Sequence, residues 1–263
     1  MAPVLLLGPP LKKYFFEDTL SEAQVAESAF ASPIKINARG AFLKVQNAQN
    51  LSPSKEKDFL AIAWFNVQDL PTPGQRMFLL SRYDAEAGNK SGYAVALART
   101  ADSLRPEVYW RDEKGKGGWY VFSDVKILPG FWFMLGLTYY QDRYLGTYLG
   151  NYQENGKIKL ETAGGYDLGR SILPKGDFSL KVGSVKTGLF TGNLGPVGIF
   201  SKANMSLEIR DILKNFLKDP VAVPDFFNDE DILFWSPDAK TDLSPNNHDI
   251  KFVDPTKMEM GGR

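Results

Sequence analysis

The feature that most constrains this chain is a series of short runs rich in Val, Ile, Phe, Tyr and Trp, separated by turn residues, from Ile34 to about Phe200. Clear examples are residues 59–67, 93–97 and 131–140. Such runs are typical of strands, and strands that follow one another closely favour an antiparallel β-sandwich over βαβ units. The sequence therefore predicts an all-β fold of two antiparallel sheets.

Two of these runs are joined by a glycine-rich turn. Residues 107–111 and 119–122 flank Glu113-Lys-Gly-Lys-Gly-Gly118. Glycine tolerates the positive φ angles of tight turns, so this segment predicts a β-hairpin.

One helix is predicted after the β region. Residues 207–217 place apolar side chains on one stripe, with Ser206 as the N-cap and Pro220 behind the end. This stripe is expected to dock on the sandwich, at an edge or an end of the core. A second short helix is predicted at Leu20–Val25, where Ser21 and Gln24 have capping-box spacing.

These patterns divide the chain into three parts. Residues 1–32 form an N-terminal extension with its short helix, 33–220 form the β domain, and 221–263 contribute a further strand near Ile232–Trp235 to the same unit. Both tails carry several aromatic side chains, and burying each one gains ~1.5–3 kcal/mol. We therefore expect the tails to pack on the core or on a neighbouring subunit.

Composition excludes several classes of function. The 31 basic and 31 acidic residues cancel, which argues against a nucleic-acid partner, because phosphate binding needs excess positive charge. The chain has no cysteine, so disulfides, thiolate metal sites and cysteine nucleophiles are excluded. Its one histidine, His248, cannot build a multi-histidine zinc site.

Membrane and targeting signals are weak. The most apolar window, Phe131–Tyr140, has ten residues, whereas a spanning helix needs about 20. The apolar stretch Val4–Leu7 is short and its basic pair follows it, unlike a secretory signal. Membrane insertion is not expected, and no clear signal peptide is present.

Four segments of the chain carry a family pattern: Lys57–Trp64; Phe78–Arg82 with Gly92–Leu97; Phe131–Tyr139 with Tyr144–Tyr148; and Phe178–Ser184 with Phe190–Gly192 continuing to Ile199, then Met205-Ser206. Taken in order, they resemble the laminin-G-like branch of the concanavalin-A-like lectin/glucanase superfamily. The resemblance extends over roughly Ala38 to Leu217, and the family's Asp-Gly turn appears here as Gly150-Asn151.

This resemblance implies a two-sheet antiparallel jelly-roll sandwich. It implies a module that binds glycans or protein surfaces, often with calcium, and that is only sometimes an enzyme. An extracellular, cell-surface or virion location is the corresponding expectation.

Sugar recognition commonly uses aromatic rings laid against the pyranose, with polar groups at the rim. Tyr144, Tyr148 and Tyr152 lie four apart in one predicted strand and so share a face. Gly146 and Gly150 lie between them and leave the rings unobstructed, while the leucines at 145 and 149 face the core. The alternative is that Tyr144 and Tyr148 pack against a neighbouring strand or the C-terminal segment.

A second candidate ligand site combines Tyr109, Arg111 and, across the hairpin, Trp119. Its alternative is ordinary cross-strand aromatic packing.

Calcium needs three or more converging oxygen ligands. Asp84, Glu86 and Asn89 lie in one predicted loop and are the candidate metal ligands. They are also ordinary loop residues, and no other cofactor is predicted.

A catalytic site is disfavoured. Glycosidases of this superfamily place carboxylates as Glu-x-Asp-x-Glu on one strand, and no such triplet occurs. Glu107, Asp112 and Glu113 have odd spacing and are interpreted as solvated charges of a turn.

Three functional hypotheses follow. The leading one is a non-catalytic module that binds a glycan or a protein surface ligand. The second is a structural subunit, such as a virion decoration, fibre or appendage protein, that forms a homo-oligomer or a particle. The third is a carbohydrate-active hydrolase or lyase.

Overall fold

In the computed structural model, the runs of β-forming residues pair into two antiparallel sheets with one helix on the outside. The predicted N-terminal helix at Leu20–Val25 lies outside the described residues. The structure describes residues 33–36, 40–46, 48, 51–83, 91–123, 125–152, 158–175, 178–183, 188–220, 233–235, 244 and 248–253.

The described elements comprise fourteen strands, one 3₁₀ turn and one α-helix. The 3₁₀ turn is Met205–Leu207 and the helix α1 is Ile209–Lys218. The strands, in chain order, are β1 (Ile34–Ile36), β2 (Phe42–Val45), β3 (Asp58–Val67), β4 (Arg76–Tyr83), β5 (Gly92–Arg99), β6 (Leu104–Arg111), β7 (Gly117–Val121), β8 (Trp132–Tyr140), β9 (Tyr144–Tyr152), β10 (Ile158–Asp167), β11 (Leu180–Gly183), β12 (Gly192–Lys202), β13 (Leu233–Trp235) and β14 (Ile250–Val253).

Sheet A has the order β1-β12-β3-β8-β9-β10, and sheet B has the order β14-β2-β11-β4-β5-β6-β7. The short strand β13 pairs with Val197–Ile199 of β12, next to the Gly192–Leu194 segment that pairs with β1. This architecture confirms the predicted all-β sandwich of two antiparallel sheets, and it is compatible with a jelly roll.

The glycine-rich hairpin forms as predicted, between β6 and β7. Gly115 and Gly117 have φ angles of 75° and 95°. A Cβ on Gly117 would lie 2.1 Å from the carbonyl oxygen of Trp110, so only glycine fits the close approach of the two strands.

Strand β3 is buried on both faces. Its inward side chains, among them Phe59 and Phe65, belong to the core between the sheets. Its outward side chains Leu60, Ile62 and Trp64 are also buried, in a second cluster beneath α1. The long unbroken apolar run of this strand follows from this double burial.

Helix α1 supplies the other half of that second cluster. The apolar stripe predicted from the sequence is buried along its whole length, at residues 209, 212, 213, 216 and 217. Glycines in the sheet make room for the helix. A Cβ on Gly136 would lie 3.1 Å from Leu213 Cδ2, and a Cβ on Gly150 would lie 2.5 Å from Leu217 Cδ2.

Two details of the helix prediction are wrong. The helix covers the outer face of sheet A rather than an edge or an end of the core. Ser206 lies in the 3₁₀ turn, and the N-cap is Glu208, without a side-chain hydrogen bond. The carboxylate of Asp58 replaces the missing cap as an anchor: it accepts hydrogen bonds from the backbone N–H of Ser206 (2.7 Å) and of Gln141 (3.1 Å).

We predict that Ile212→Asp destabilises the protein by roughly 3 kcal/mol or more, because it places an unpaired charge between α1 and sheet A. Chemical denaturation measures the loss. Leu207→Asp is the matched control, since Leu207 is 85% exposed and its replacement should change stability little. Equal stability of the two variants would show that α1 is not docked on the sheet.

Candidate functional site

The aromatic residues singled out in the sequence lie on opposite sides of the sandwich. Tyr144 and Tyr148 are on the outer face of sheet A, with α1. Tyr109, Arg111 and Trp119 are on the outer face of sheet B, on β6 and β7. The remaining candidates lie outside what the structure describes: the side chain of Tyr152 and the residues Asp84, Glu86 and Asn89.

The expected open platform on β9 is covered by the helix. The leucines at 145 and 149 face the core as predicted. However, Leu217 occupies the space above Gly150, and Tyr148 is half-buried against the cluster beneath α1. A Cβ on Gly146 would likewise lie only 2.9 Å from Thr138 Oγ1. The prediction that Gly146 and Gly150 leave the rings unobstructed is therefore wrong, because other atoms pack directly over both glycines.

Tyr144 is held by its neighbours at the other end of the same face. Its ring stacks on that of Tyr140, with a centroid distance of 5.4 Å. Its hydroxyl accepts a hydrogen bond of 2.7 Å from Arg143 Nη2, which also donates to Asp167 Oδ2 at 2.6 Å. These contacts fit the packing alternative for this tyrosine.

On the outer face of sheet B, four rings form what we call the aromatic layer: Phe78, Tyr83, Tyr109 and Trp119. Tyr83 on β4 and Tyr109 on β6 approach to 4.6 Å between ring centroids, across the intervening strand β5. Trp119 lies 5.3 Å from Tyr109 and 6.0 Å from Phe78.

Small residues beneath the aromatic layer make this arrangement possible. The outward side chains of β5 are Ala94, Ala96 and Ala98, so rings from both flanking strands can lie over it. Tyr109 is buried in consequence, whereas Tyr83 and Trp119 are half-buried and reach the surface. The packing alternative thus describes Tyr109, while Trp119 remains accessible to a ligand.

Next to the aromatic layer, one buried carboxylate holds two arginines. The side chain of Glu107 is 3% exposed, while those of Arg76 and Arg105 are each 36% exposed. Arg76 Nε donates to Glu107 Oε2 at 2.6 Å, and Arg105 Nη2 donates to Oε1 at 3.1 Å. The interpretation of Glu107 as a solvated turn charge is wrong, because it lies in the middle of β6 and is enclosed by its partners.

The same contacts leave guanidinium groups facing the surface beside an indole ring. Arg76 Cζ lies 4.0 Å from the centroid of the Trp119 ring, a cation–π contact. Within the described part of the chain, Arg76 donates only through Nε, so its two terminal nitrogens are available to an oxygen ligand. A planar guanidinium fork of this kind suits carboxylate, sulfate or paired hydroxyl oxygens.

Sequence reasoning did not select Arg76, Arg105 or Tyr83. A signal was present for part of this set, since Arg105, Glu107, Tyr109 and Arg111 alternate along β6 and must share a face. Arg76 and Tyr83 are on another strand, and only the pairing of β4 with β5 brings them to the same place.

The described residues contain no cluster of three or more His, Asp or Glu side chains that would suit a metal ion. Within the same residues, no helix is long and apolar enough to cross a membrane.

No protein-family model and no curated protein matches this chain. The chain is similar to three solved structures, among others, at identities of 10 to 13% that concern the fold alone. It covers only 30% and 40% of the lengths of the first two. The first is the enzymatically active domain of tailspike protein 2 of bacteriophage CBA120, with 10% identity, 77% of this chain and 30% of that chain covered, and a TM-score of 0.49. The second is the botulinum neurotoxin serotype G binding domain, with 13% identity, 66% of this chain and 40% of that chain covered, and a TM-score of 0.44. The third is an alginate lyase from Pseudomonas aeruginosa, with 12% identity, 57% of this chain and 66% of that chain covered, and a TM-score of 0.29.

The burial of Tyr148 has a consequence for its titration. Burial raises the pKa of its phenol above the ordinary value of 10.0, and the positive charge of Arg210 partly opposes this shift. Because the raised pKa favours the neutral form in the folded state, its stabilising effect is complete below pH 10 and is lost as pH rises through the raised pKa.

We predict that Tyr148 ionises with a pKa above 10.0. The phenolate absorbance that is present in the wild type and missing in Tyr148→Phe reports this ionisation. Spectrophotometric titration of both proteins measures it. Arg210→Gln should raise the pKa of Tyr148 further by removing the opposing charge. Titration of Tyr148 at the ordinary tyrosine value would mean that the ring is solvated and that the helix does not cover it.

Proposed function

We propose that this chain is a non-catalytic glycan-binding module that uses the outer face of sheet B. The binding surface comprises Trp119, Tyr83 on the other side of Tyr109, and the guanidinium groups of Arg76, Arg105 and Arg111. The laminin-G-like resemblance of residues 38–217 supports the same class of function.

One observation carries the proposal: a half-buried indole with a guanidinium group 4.0 Å from its centroid and further cations around it. A pyranose ring has an apolar face that packs on an indole, and its hydroxyl groups accept hydrogen bonds from guanidinium N–H groups. The underlying aromatic packing fixes Trp119 before a ligand arrives, which lowers the entropic cost of binding.

The outer face of sheet A is a weaker candidate for the same role. Helix α1 fills the space over Gly150 and packs against Tyr148. A sugar on that face would have to displace the helix from a buried apolar cluster.

The position of Glu107 favours binding over hydrolysis or lysis. Both of its oxygens accept hydrogen bonds from arginines that hold it as an ion pair. A general acid or base must reach the reacting bond of a substrate with one of these oxygens, and both are already engaged by the two arginines.

Assembly with other copies is the second candidate function. Phe252 lies on β14, at the end of the strand order of sheet B, and is 50% exposed. Leu128 and Phe131, in the segment that precedes β8, are exposed as well. Exposed apolar side chains on an edge strand favour contacts between proteins. Light scattering of the full chain distinguishes a particle or oligomer from a monomer.

We predict that Trp119→Ala lowers glycan affinity at least about tenfold, the usual order for an aromatic anchor in a binding surface. A glycan array identifies the ligand, and calorimetry on the purified full chain measures the affinity. Trp132→Ala is the matched control: Trp132 is half-buried on the outer face of sheet A, so its loss should leave affinity unchanged.

Binding that survives Trp119→Ala but is lost in Tyr148→Ala, with both variants folded, would move the site to sheet A. Polymer cleavage by the wild type that disappears in Glu107→Gln would replace the binding hypothesis by the enzymatic one.

A further inference from the structure

A single row of paired residues crosses all seven strands of sheet B. The pairing places one residue of each strand directly opposite the next, so that their side chains share the outer face. The row reads Lys251, Lys44, Lys181, Ser81, Ala94, Tyr109 and Trp119. Six strand spacings make it about 29 Å long.

The first half of this row consists of three consecutive lysines, Lys251, Lys44 and Lys181, which we call the lysine row. Like charges directly opposite one another on adjacent strands destabilise a sheet. Lys251 has a partner, since its Nζ lies 2.9 Å from Asp249 Oδ2. Lys44 and Lys181 have no carboxylate partner among the described residues; Lys181 Nζ lies 5.5 Å from the centroid of the Phe42 ring.

The other half of the face is cationic too. Arg76, Arg105 and Arg111 point outward there, and Glu107 is the acidic side chain among them. Together with the lysine row and Asp249, the described residues of this face supply six cations and two carboxylates. This excess of positive charge among the described residues of the face attracts anions.

Ser81 lies where the two halves meet. It is 1% exposed, and its Oγ has no hydrogen-bond partner among the described residues. Its hydroxyl is therefore covered, so a ligand on this face contacts the lysine row on one side of Ser81 and Arg76, Arg105 and Trp119 on the other.

We infer that the ligand is a linear acidic polysaccharide, bearing carboxylate or sulfate groups, that lies along this row. The inference rests on the proposed function and specifies its ligand class. Acidic groups of the chain pair with the lysine row and with Arg76 and Arg105, while one sugar ring packs on Trp119.

The aromatic layer favours a polysaccharide over a single-stranded nucleic acid. Successive bases stack on successive open ring faces. Here the rings of Tyr83 and Tyr109 pack against each other at an interplanar angle of 31°, and Arg76 lies over one face of Trp119. A run of bases therefore lacks the series of open ring faces that it needs, whereas the rest of the row offers charges for acidic groups.

The test compares polygalacturonate and heparin fragments with neutral dextran and with single-stranded oligodeoxythymidylate, all with the full chain. We expect the acidic polysaccharides to bind more tightly than dextran, with an affinity that falls as salt rises. Lys44→Gln combined with Lys181→Gln should weaken this binding about tenfold or more and lower the slope of log affinity against log salt by about 2.

The control pair is Lys214→Gln with Lys218→Gln, on α1 at the other side of the sandwich, which should leave both affinity and slope unchanged. Tight binding of dextran that is lost in Trp119→Ala but unchanged in the Lys44→Gln, Lys181→Gln double variant would overturn the inference. The proposed function would still stand in that case. Absence of binding to every glycan would overturn both. Tighter binding of oligodeoxythymidylate than of polygalacturonate at equal salt would overturn the polysaccharide assignment.

Discussion

The burial of strand β3 on both faces is the constraint on which the rest of the structure depends. A sandwich covers only the inner face of each sheet, so the outward side chains Leu60, Ile62 and Trp64 would meet water without a further layer. Helix α1 provides that layer. Its close approach requires glycines on β8 and β9 and an anchor at its start, and Asp58 of β3 itself supplies the anchor. The covering of sheet A thus follows from the composition of one strand, whereas on the outer face of sheet B the rings of Tyr83 and Trp119 reach the surface.

Periodicity predicted the elements whose burial is local and regular. The strands, the glycine hairpin and the apolar stripe of α1 are all consequences of spacing along the chain, and the structure contains them. Spacing alone does not say which layer lies over a strand. The face of β9 that carries Tyr144 and Tyr148 has the same alternation whether it meets water or a helix. Leu217 is 67 residues from Gly150 in sequence, so only the tertiary structure shows that it fills the space over that glycine.

The candidate site on sheet B was predictable in part for the same reason. Tyr109, Arg111 and Trp119 share one hairpin, and their common face follows from its register. The buried pairing of Glu107 with Arg76 joins residues 31 positions apart, and it depends on the order of β4, β5 and β6 in the sheet. Charges at an odd spacing look like solvated turn residues when each is considered alone. A carboxylate buried beneath two guanidinium groups is stable only as part of that group, because an unpaired buried charge would be costly.

The two halves of the outer face of sheet B differ in rigidity, and this difference bears on recognition. Over the alanines of β5, rings from three strands contact one another and restrict one another's rotamers. In the lysine row each charge is on a flexible four-carbon stem. Rigid aromatic anchors bind one sugar in a defined orientation at low entropic cost, whereas lysines follow acidic groups whose spacing varies along a polymer. For the acidic polysaccharide that we propose as ligand, such a face would select by one fixed sugar contact and by charge density, rather than by the full sequence of sugars in the chain.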